Sequence, residues 1–447
     1  MKSPKAGADD FVASGHAEAD LADLPGTEAI GAAAVSREGD DFLFVWPGCD
    51  VRIEVTTVRE HGEGITAELA VSLGGRELHW GRLQLASTLA KGTLVKRLAQ
   101  QHRALPWGTL VEHVCREAAR AVRNGAPAAR LEARPFSGPR FLLEPFVWHS
   151  DCSFIFADGG TGKGYVALVN CLAGTTGRTI AGIHPRAGRG LRALYLDWES
   201  SKDDLDDRLH RLGRGLAIDT TELPIYRLGM DRPLVADLAR VRTECARITA
   251  DLLVIDSWMP ACGFGRDTAG ADTAVGAFAA VRSLGRPALA IAHMSKVMAD
   301  QKGAARIYGS VFNHNLSRNV WEVKRTEDSE PGEMLLGCYH TKVNEVARRK
   351  PFGLRFAFDG EDGPVTVSTC PLIQGGADLL EKLSLRQRIR TVLAPGALTT
   401  EEIAEATGAP EKTVRARLSE LHRQHHVVTF EEGGGRGKHT RWGLATR

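Results

Sequence analysis

Residues 154–168 read FIFADGGTGKGYVAL, and this stretch decides the fold of the chain. A strand-like apolar run is followed by a glycine-rich turn and a helical run, which is typical of a phosphate-binding P-loop with the consensus G-x-x-x-x-G-K-[ST]. Backbone amides at the start of such a helix can bind phosphate oxygens. The predicted nucleotide-binding residues are Gly159, Gly160, Thr161, Gly162, Lys163, Gly164 and Tyr165.

Two positions of the motif differ from the consensus. Ala157 stands where the first glycine belongs, and Gly164 stands where a serine or threonine would bind magnesium. We expect the missing hydroxyl to weaken hydrolysis more than binding, because Mg²⁺ usually keeps several waters and one of them can replace the hydroxyl. Ala157 would strain the turn if its φ angle were positive. The sequence therefore predicts nucleotide binding with slow hydrolysis.

The bulk composition limits the class of protein. A chain of 447 residues is too long for one hydrophobic core, so two or three domains are expected. The formal net charge of +2 favours no particular partner, and any nucleic-acid surface must therefore be local. The eight cysteines form no C-x-x-C pair, which argues against a zinc site or a disulfide framework. Without a long apolar run or a signal peptide, we expect a cytoplasmic protein with no membrane contact.

The pattern along the chain predicts four segments. Residues 1–30 are rich in Ala, Gly and Asp and predict a disordered tail. Residues 31–135 alternate in polarity and then show helical spacing, which predicts a small α+β domain. In residues 136–375, apolar runs alternate with helical stretches, which predicts an α/β fold with a parallel sheet buried on both faces. Residues 380–447 are predicted to form the last domain.

Three strand-like runs after the P-loop end in polar residues. LYLDWES carries Asp197 and Glu199, LLVIDSW carries Asp256, and LAIAHMSK carries His293. Because ligands bind beyond the carboxyl ends of strands in open α/β sheets, we expect these side chains to face the phosphate loop. Glu199 would orient or deprotonate the attacking water, Asp256 would hold Mg²⁺, and His293 would sense the γ-phosphate. Alternatively, the acids cap the next helix, the histidine is structural, and Lys163 is a surface lysine in a glycine turn.

The succession GGTGKG, LYLDWE, LLVIDS, IAHMSK and YGSVFNHNLSRNVWEVKR resembles the RecA-like ATPases of the RepA hexameric helicase type, over roughly residues 140–345. The resemblance implies ATP and Mg²⁺ bound between the subunits of a homo-oligomer, with a hexameric ring as the family arrangement. It implies Glu199 as the catalytic carboxylate, Asp256 as the Walker B acid and His293 as the sensor. Basic residues of the neighbouring subunit would complete the site. The candidates for them, which equally fit an ordinary basic sheet edge, are Arg318, Lys324 and Arg325.

Members of this family also bind single-stranded DNA with loops inside the ring. The corresponding segment here is 297–307, with Lys302 and Arg306 as the candidate DNA-binding residues. Its glycine and polar content equally suits a loop without this role. DNA is therefore an expected partner of the ATPase domain only by resemblance.

The C-terminal segment TTEEIAEATGAPEKTVRARLSELHRQHHVV looks like a helix-turn-helix. Val414, Leu418 and Leu421 recur at helical spacing and predict the buried face of its second helix. The following strand-like runs and the glycine-rich turn resemble a wing, so we predict a winged helix that binds DNA. The same fold would also serve for protein contacts. The predicted DNA contacts are Lys412, Arg415, Arg417, Arg436, Lys438 and Arg441.

Three functions are compatible with these features. The main interpretation is an ATP-binding, DNA-associated, oligomeric ATPase with slow hydrolysis, such as a helicase or replication protein of a mobile element. The second is a nucleotide-gated DNA-binding regulator with little or no ATPase activity, and the third is a scaffold. The presence of Lys163, Glu199, Asp256 and His293 favours the first two over the scaffold. Gly164 and the winged helix add weight to the regulator.

Overall fold

The computed structural model describes residues 31–445 except for 39–40, 62–63, 125–127, 129, 264–269, 295–306, 328 and 433–438. The chain divides into two units, Met1–Phe136 and Ser137–Arg447. Within the described part, no helix is long and apolar enough to cross a membrane. Several predictions lie outside the described residues: the tail 1–30 and the cations Lys302, Arg306, Arg436 and Lys438.

The first unit contains a five-stranded antiparallel sheet and two helices. The strands follow one another in sheet order: β1 (Ala34–Glu38), β2 (Asp41–Trp46), β3 (Val51–His61), β4 (Gly64–Leu73) and β5 (Arg76–Gln84). The helices are α1 (Thr88–Gln101) and α2 (Trp107–Asn124). Alternate residues of β3 and β4, such as Ile53 and Val71, face each other across the pair and are fully buried against α2. Period-two alternation therefore gives this sheet one core face.

The second unit is built on a nine-stranded sheet, and its strands and those of a small side sheet follow in chain order. They are β6 (Phe141–Glu144), β7 (Val147–Trp148), β8 (Cys152–Ala157), β9 (His184–Pro185), β10 (Ala193–Asp197), β11 (Ile225–Gly229), β12 (Leu252–Asp256), β13 (Ala288–His293), β14 (Asn319–Arg325), β15 (Glu333–Val343), β16 (Phe352–Phe358) and β17 (Val365–Cys370). The large sheet has the order β11-β10-β12-β13-β8-β14-β15-β16-β17, and β7-β6-β9 form the side sheet.

The first six strands of the large sheet run parallel and the last three run antiparallel. Helices lie on both faces, so a central strand is buried on both sides: Leu252 and Val254 belong to one core, and Leu253 and Ile255 to the other. This confirms the predicted mixed α/β fold with a large, mostly parallel central sheet. The helices are α3 (Lys163–Thr176), α4 (Lys202–Leu216), α5 (Leu238–Ile248), α6 (Trp258–Cys262), α7 (Ala271–Ser283) and α8 (Val311–Leu316).

The C-terminal segment contains short helices and a three-stranded antiparallel sheet of order β18-β20-β19. Its elements are α9 (Gly376–Leu380), α10 (Leu385–Val392), β18 (Leu398–Thr399), α11 (Thr400–Thr407), α12 (Glu411–Arg423), β19 (Val427–Glu432) and β20 (His439–Leu444). Val414, Leu418 and Leu421 of α12 are fully buried. Tyr339 of β15 packs with Leu379 and neighbouring leucines, which joins this segment to the antiparallel side of the large sheet.

Candidate nucleotide site

The carboxyl ends of four parallel strands bring the predicted site residues to one edge of the sheet. Asp197 of β10 is in register with Asp256 of β12, and His293 of β13 is in register with Ala157 of β8. Beyond β8 the chain forms the glycine-rich loop, and α3 begins at Lys163. The edge therefore combines a phosphate loop with acids from neighbouring strands, as expected at the carboxyl ends of an open α/β sheet.

Glycine conformation and one hydroxyl shape the phosphate loop. Gly160 and Gly162 have φ angles of 69° and 93°, in the left-handed region that favours glycine. The Thr161 hydroxyl donates to the carbonyl oxygen of Asp158 at 2.8 Å. Met334 lies over Gly162, where a Cβ would come within 2.6 Å of the methionine sulfur. No larger residue fits at position 162 without displacing Met334.

Ala157 does not strain this loop. It is the last residue of the extended strand β8 and does not have a positive φ. The strained turn considered for this position is therefore not formed, because β8 extends through Ala157 and the chain turns only after it. Of the two departures from the motif, only Gly164 changes the chemistry of the site.

Lys163 is buried and directed at its own loop. Its Nζ donates to the carbonyl oxygens of Ala157 at 3.2 Å and Asp158 at 2.6 Å, and the residue is 7% exposed. Burial lowers the pKa of the Lys163 ammonium, although the nearby Glu199 and Asp256 carboxylates act in the opposite direction. An ammonium has three donors, so phosphate oxygens can replace these carbonyl contacts.

Glu199, two residues beyond β10, contacts Ser257, which directly follows β12, and His293, the last residue of β13. Its Oε1 accepts a hydrogen bond from the Ser257 hydroxyl and lies 3.5 Å from Nε2 of His293. The hydrogen bond from His293 lowers the pKa of Glu199, and burial acts against it. The Glu199 side chain is 42% exposed. An ionised carboxylate that water can reach is suitable as a general base.

Asp197 has a different role from Glu199. It is 2% exposed, and its Oδ1 accepts the backbone N–H groups of Glu199 and Ser200. Its Oδ2 accepts a hydrogen bond from Arg227 at 2.7 Å. The next helix, α4, is capped by other residues, since Ser201 and Asp204 form a capping box. Asp197 therefore holds the turn that presents Glu199.

Asp256 is, like Asp197, a buried acid of the site, 6% exposed. Its Oδ2 accepts a hydrogen bond from the Tyr195 hydroxyl. Burial raises the pKa of Asp256 to about 6, and the charges of Glu199 and Asp197 act in the same direction. The position of Asp256 beside the first turn of α3 suits a metal ligand, because a Cβ on Gly164 would lie 3.9 Å from its Oδ2.

The donor set fits Mg²⁺ bound together with phosphates. Among the described residues, no group of three His, Cys, Asp or Glu side chains could hold a metal ion alone. Mg²⁺ commonly needs only one or two carboxylates when phosphate oxygens and waters complete its octahedron. Asp256 would supply the carboxylate, and Gly164 supplies no ligand.

The three predicted trans-acting cations lie in different places within their own chain. Arg325 reaches the phosphate loop, with Nη1 at 3.4 Å from the carbonyl oxygen of Gly160. Lys324 pairs with the Asp378 carboxylate and donates to its carbonyl oxygen at 3.1 Å. Arg318 lies at the amino ends of the strands, where it pairs with Asp151 at 3.0 Å. Their contribution to a neighbouring subunit stays a prediction.

A large cavity adjoins the phosphate loop. Its volume is about 1500 Å³, and its lining includes Gly160, Arg325 and four residues of the C-terminal segment: Asp378, Glu381, Lys382 and Arg388. The loop is therefore bordered by residues from β14 and from the start of the C-terminal segment.

Tyr165, a predicted nucleotide contact, instead packs its ring against Phe356 and Phe358.

The predicted DNA-binding cations of the C-terminal segment that the structure describes differ in their contacts within the protein. Lys412 is exposed. Arg415 pairs with Glu411 and Arg417 pairs with Glu420, each along α12. Arg441 donates to the carbonyl oxygen of Ala397 at 3.2 Å, in line with its position on β20. Thus, within the described residues, Lys412 is the predicted DNA contact that forms no ion pair.

Sequence reasoning missed four residues of the site: Tyr195, Ser257, Arg208 and Met334. Ser257 and Tyr195 belong to the motifs LLVIDS and LYLDWE. They could have been identified as site residues because they are polar side chains close to the predicted acids. Arg208 lies on α4, and its Nη1 would be 3.5 Å from a Cβ on Gly164. Nothing in the sequence spacing pointed to Arg208 or Met334, because only the packing of α4 and β15 brings them to the loop.

Comparison with known proteins addresses the P-loop region. No curated protein is similar enough to the chain to be matched with it. A family model described as an AAA domain matches residues 117–299, from the end of α2 to just beyond β13. This span includes the phosphate loop, Glu199, Asp256 and His293. Residues 117–299 are therefore similar to the P-loop ATPase domains of the RecA-like kind, which suggests a nucleotide-binding ATPase.

Proposed function

We propose that this chain is a DNA-associated, oligomeric ATPase that binds ATP with Mg²⁺ and hydrolyses it slowly. The hydrogen-bonded group of Glu199, Ser257 and His293, placed beside Lys163 and Asp256, carries the proposal. Glu199, Ser257 and His293 lie at or just beyond the carboxyl ends of three neighbouring segments of the sheet, β10, β12 and β13. A positioned base, a phosphate-binding lysine and a metal-binding acid are the parts that phosphoryl transfer to water requires.

In the proposed reaction, a water oxygen attacks the γ-phosphorus and the bond to the β–γ bridging oxygen breaks, which releases ADP and inorganic phosphate. Glu199 orients the water and accepts its proton, since its lowered pKa keeps it ionised at neutral pH. Lys163 exchanges the carbonyl oxygens of Ala157 and Asp158 for phosphate oxygens. Mg²⁺, when bound, neutralises charge on the phosphates, and Asp256 would hold it.

His293 would report the state of the nucleotide. Its Nε2 lies 3.5 Å from Oε1 of Glu199, and it stands two residues before the segment 295–306, which lies outside the described residues. Loss of the γ-phosphate would change the position of Glu199 and hence this contact. We infer that His293 acts as a positioning residue that transmits nucleotide state to the chain that follows it.

The experiment that tests the ATPase proposal measures binding of a fluorescent ATP analogue and ATP turnover by the full chain. Lys163→Ala should weaken binding by about 100-fold, the size expected for losing charge-assisted hydrogen bonds to phosphate. Lys202→Ala is the matched control, because Lys202 is exposed and pairs with Asp206 along α4. Equal binding by the parent and Lys163→Ala would refute a P-loop function.

We also propose that the C-terminal segment is a winged helix that binds DNA, with the exposed Lys412 as one of its contacts. Support comes from the buried stripe of α12 and the antiparallel pair β19 and β20 that follows it. Binding through phosphates predicts a steep fall of affinity with salt. Affinity for duplex and single-stranded DNA should therefore be measured at two salt concentrations with the parent and Lys412→Ala. A flat salt response would remove this part of the proposal.

A ring of identical subunits is the proposed assembly, with Arg325, Lys324 or Arg318 reaching the neighbour's nucleotide. Sedimentation with and without an ATP analogue tests it. A monomer under both conditions at micromolar concentration would exclude a shared site. In the ring form, a helicase or replication protein of a mobile element is the proposed biological role.

One observation favours the alternative of a nucleotide-gated DNA-binding regulator. The cavity beside the phosphate loop is lined partly by the C-terminal segment, and Lys324 at the end of β14 is tied to Asp378. A bound triphosphate could compete for Lys324 and loosen this tie. DNA affinity should then differ with and without the ATP analogue in the parent, and the difference should disappear in Lys324→Ala. Equal DNA affinity in both states favours the plain ATPase.

A further inference from the structure

Arg208 lies beside the position where the P-loop lacks its usual hydroxyl. It is half-buried in the middle of α4, and a Cβ on Gly164 would lie 3.5 Å from its Nη1. The same point lies 3.9 Å from Oδ2 of Asp256. The guanidinium and the carboxylate therefore flank one space at the first turn of α3. The charge of Arg208 acts on Asp256, whose pKa it lowers against the effect of burial.

Other cations of α4 are used within the protein, and Arg208 differs from them. Arg211 donates to the carbonyl oxygens of Gly360 and Gly363, and Arg214 donates to that of Asp362. Lys202 pairs with Asp206. Within the part of the chain that the structure describes, the Arg208 guanidinium has neither a hydrogen bond nor an ion pair. A guanidinium has five N–H donors, so Arg208 can donate to the acceptors of a ligand without giving up a contact within the protein.

We propose that Arg208 is a phosphate-binding residue of the nucleotide site. Its guanidinium would neutralise part of the negative phosphate charge that a metal bound to the usual P-loop hydroxyl normally neutralises. The inference rests on the proposed nucleotide-binding function. A guanidinium binds two phosphate oxygens in parallel, which suits a triphosphate at the start of α3. Because Gly164 has no side chain, the space between Arg208 and α3 stays open for phosphate oxygens. A serine there would place its side chain in contact with the guanidinium.

This arrangement predicts an unusual dependence on metal. Where the hydroxyl helps to hold Mg²⁺, removing the metal removes most of the charge that balances the phosphates. Here Lys163 and Arg208 would together provide two cations without metal. Nucleotide affinity should therefore fall only modestly, by less than about tenfold, when Mg²⁺ is removed, since two charge-assisted contacts remain.

The test measures the affinity of the full chain for a fluorescent ATP analogue in Mg²⁺ and in EDTA. Arg208→Ala should weaken binding about tenfold or more in EDTA, and less in Mg²⁺, because it removes one bidentate contact. Arg208→Lys should restore only part of the affinity, since an ammonium cannot bind two oxygens in fork geometry. Gly164→Ser should weaken binding in EDTA and increase the effect of Mg²⁺. The control Lys202→Ala should bind as the parent does.

Two outcomes separate the inference from the proposed function. If Lys163→Ala binds as the parent does, the nucleotide site itself is wrong. If Lys163→Ala loses binding but Arg208→Ala and Gly164→Ser bind as the parent does in EDTA, only the role of Arg208 is wrong. Thermal unfolding without nucleotide checks that Arg208→Ala still folds. Should it not fold, Arg208→Lys and Gly164→Ser decide the question by the same measurement.

Discussion

The parallel and antiparallel halves of the large sheet use their polar residues differently. In the parallel half all carboxyl ends lie at one edge, so Glu199, Asp256 and His293 come together at or just beyond the ends of three different strands. In the antiparallel half successive strand ends alternate between the two edges, and polar residues do not converge in this way. Strand direction therefore decides where this chain can assemble a chemical site.

Polar residues of the antiparallel half serve packing instead. Tyr339 of β15 donates its hydroxyl to the carbonyl oxygen of Leu379. The next residue, His340, stacks on Trp321 with ring centroids 4.4 Å apart. Its two ring nitrogens contact Asn319 and the backbone N–H of Arg349. Changes here should alter stability, whereas changes at the parallel edge should alter nucleotide chemistry.

The largest expected effect is at the parallel edge. Glu199→Gln should lower ATP turnover about 100-fold to 1000-fold, because the amide cannot accept a proton from the attacking water. Affinity for an ATP analogue should change by less than about threefold, since Glu199 binds water and not phosphate. Glu222→Gln, an exposed acid before β11, is the control. A similar turnover in Glu199→Gln and the control would break the assignment of this edge as catalytic.

The next effect concerns His340 and depends on pH. Burial lowers the pKa of His340 to about 4, and the charges of Arg348 and Arg349 act in the same direction. The folded protein thus prefers neutral His340, while the unfolded chain takes up a proton below about pH 6.5. This contribution to stability is complete above pH 6.5 and is lost as the pH falls towards 4. Between pH 7 and pH 5 the loss should be about 2 kcal/mol.

The measurement is urea unfolding of the parent and His340→Gln at pH 7 and pH 5. Glutamine can replace the hydrogen bond to Asn319 but does not titrate, so its unfolding free energy should fall less at pH 5. Other titrating groups, including Asp256, are common to both proteins and cancel in the difference. The same pH dependence in both proteins would show that His340 is not held neutral.

The sequence predicted the parallel half well because its signals are local. Continuous apolar runs give strands buried on both faces, and each run carries a polar residue at or just after its end, as Leu252–Asp256 does. Glycine at positions 160 and 162 indicates the left-handed backbone conformation that the loop requires. The strands and the identity of the three polar residues at their ends therefore follow from composition and order alone.

What the sequence could not predict depends on contacts between distant segments. Arg208 reaches Gly164 only because α4 packs beside α3, and Met334 reaches Gly162 only because β15 pairs with β14. Lys324 was expected to act on a neighbouring subunit, but its contact with Asp378 arises from the placement of α9. Such contacts have no periodicity or motif, since they are set by tertiary packing.

Gly164→Ser should have a smaller effect, of opposite sign to that of Glu199→Gln. At saturating ATP and Mg²⁺ it should raise turnover about tenfold, because one hydroxyl ligand restores part of the positioning whose loss can cost about 100-fold. A Cβ fits at this position, since its nearest neighbours would be 3.5 Å and 3.9 Å away. Turnover should be measured over a range of Mg²⁺ concentrations. A variant that is no faster than the parent would mean that the missing hydroxyl does not limit hydrolysis.

The smallest expected effect returns to the antiparallel half. Tyr339→Phe removes the hydrogen bond to Leu379 and leaves its buried carbonyl oxygen without this donor, so the free energy of unfolding should fall by about 1 kcal/mol. Tyr226→Phe is the control, because Tyr226 is 37% exposed on β11. Affinity for an ATP analogue should be unchanged in both variants if the two halves are independent. A change of affinity in Tyr339→Phe alone would instead mean that the C-terminal segment, which Tyr339 contacts, acts on the phosphate loop. The two would be coupled through the cavity that the C-terminal segment and the phosphate loop both line.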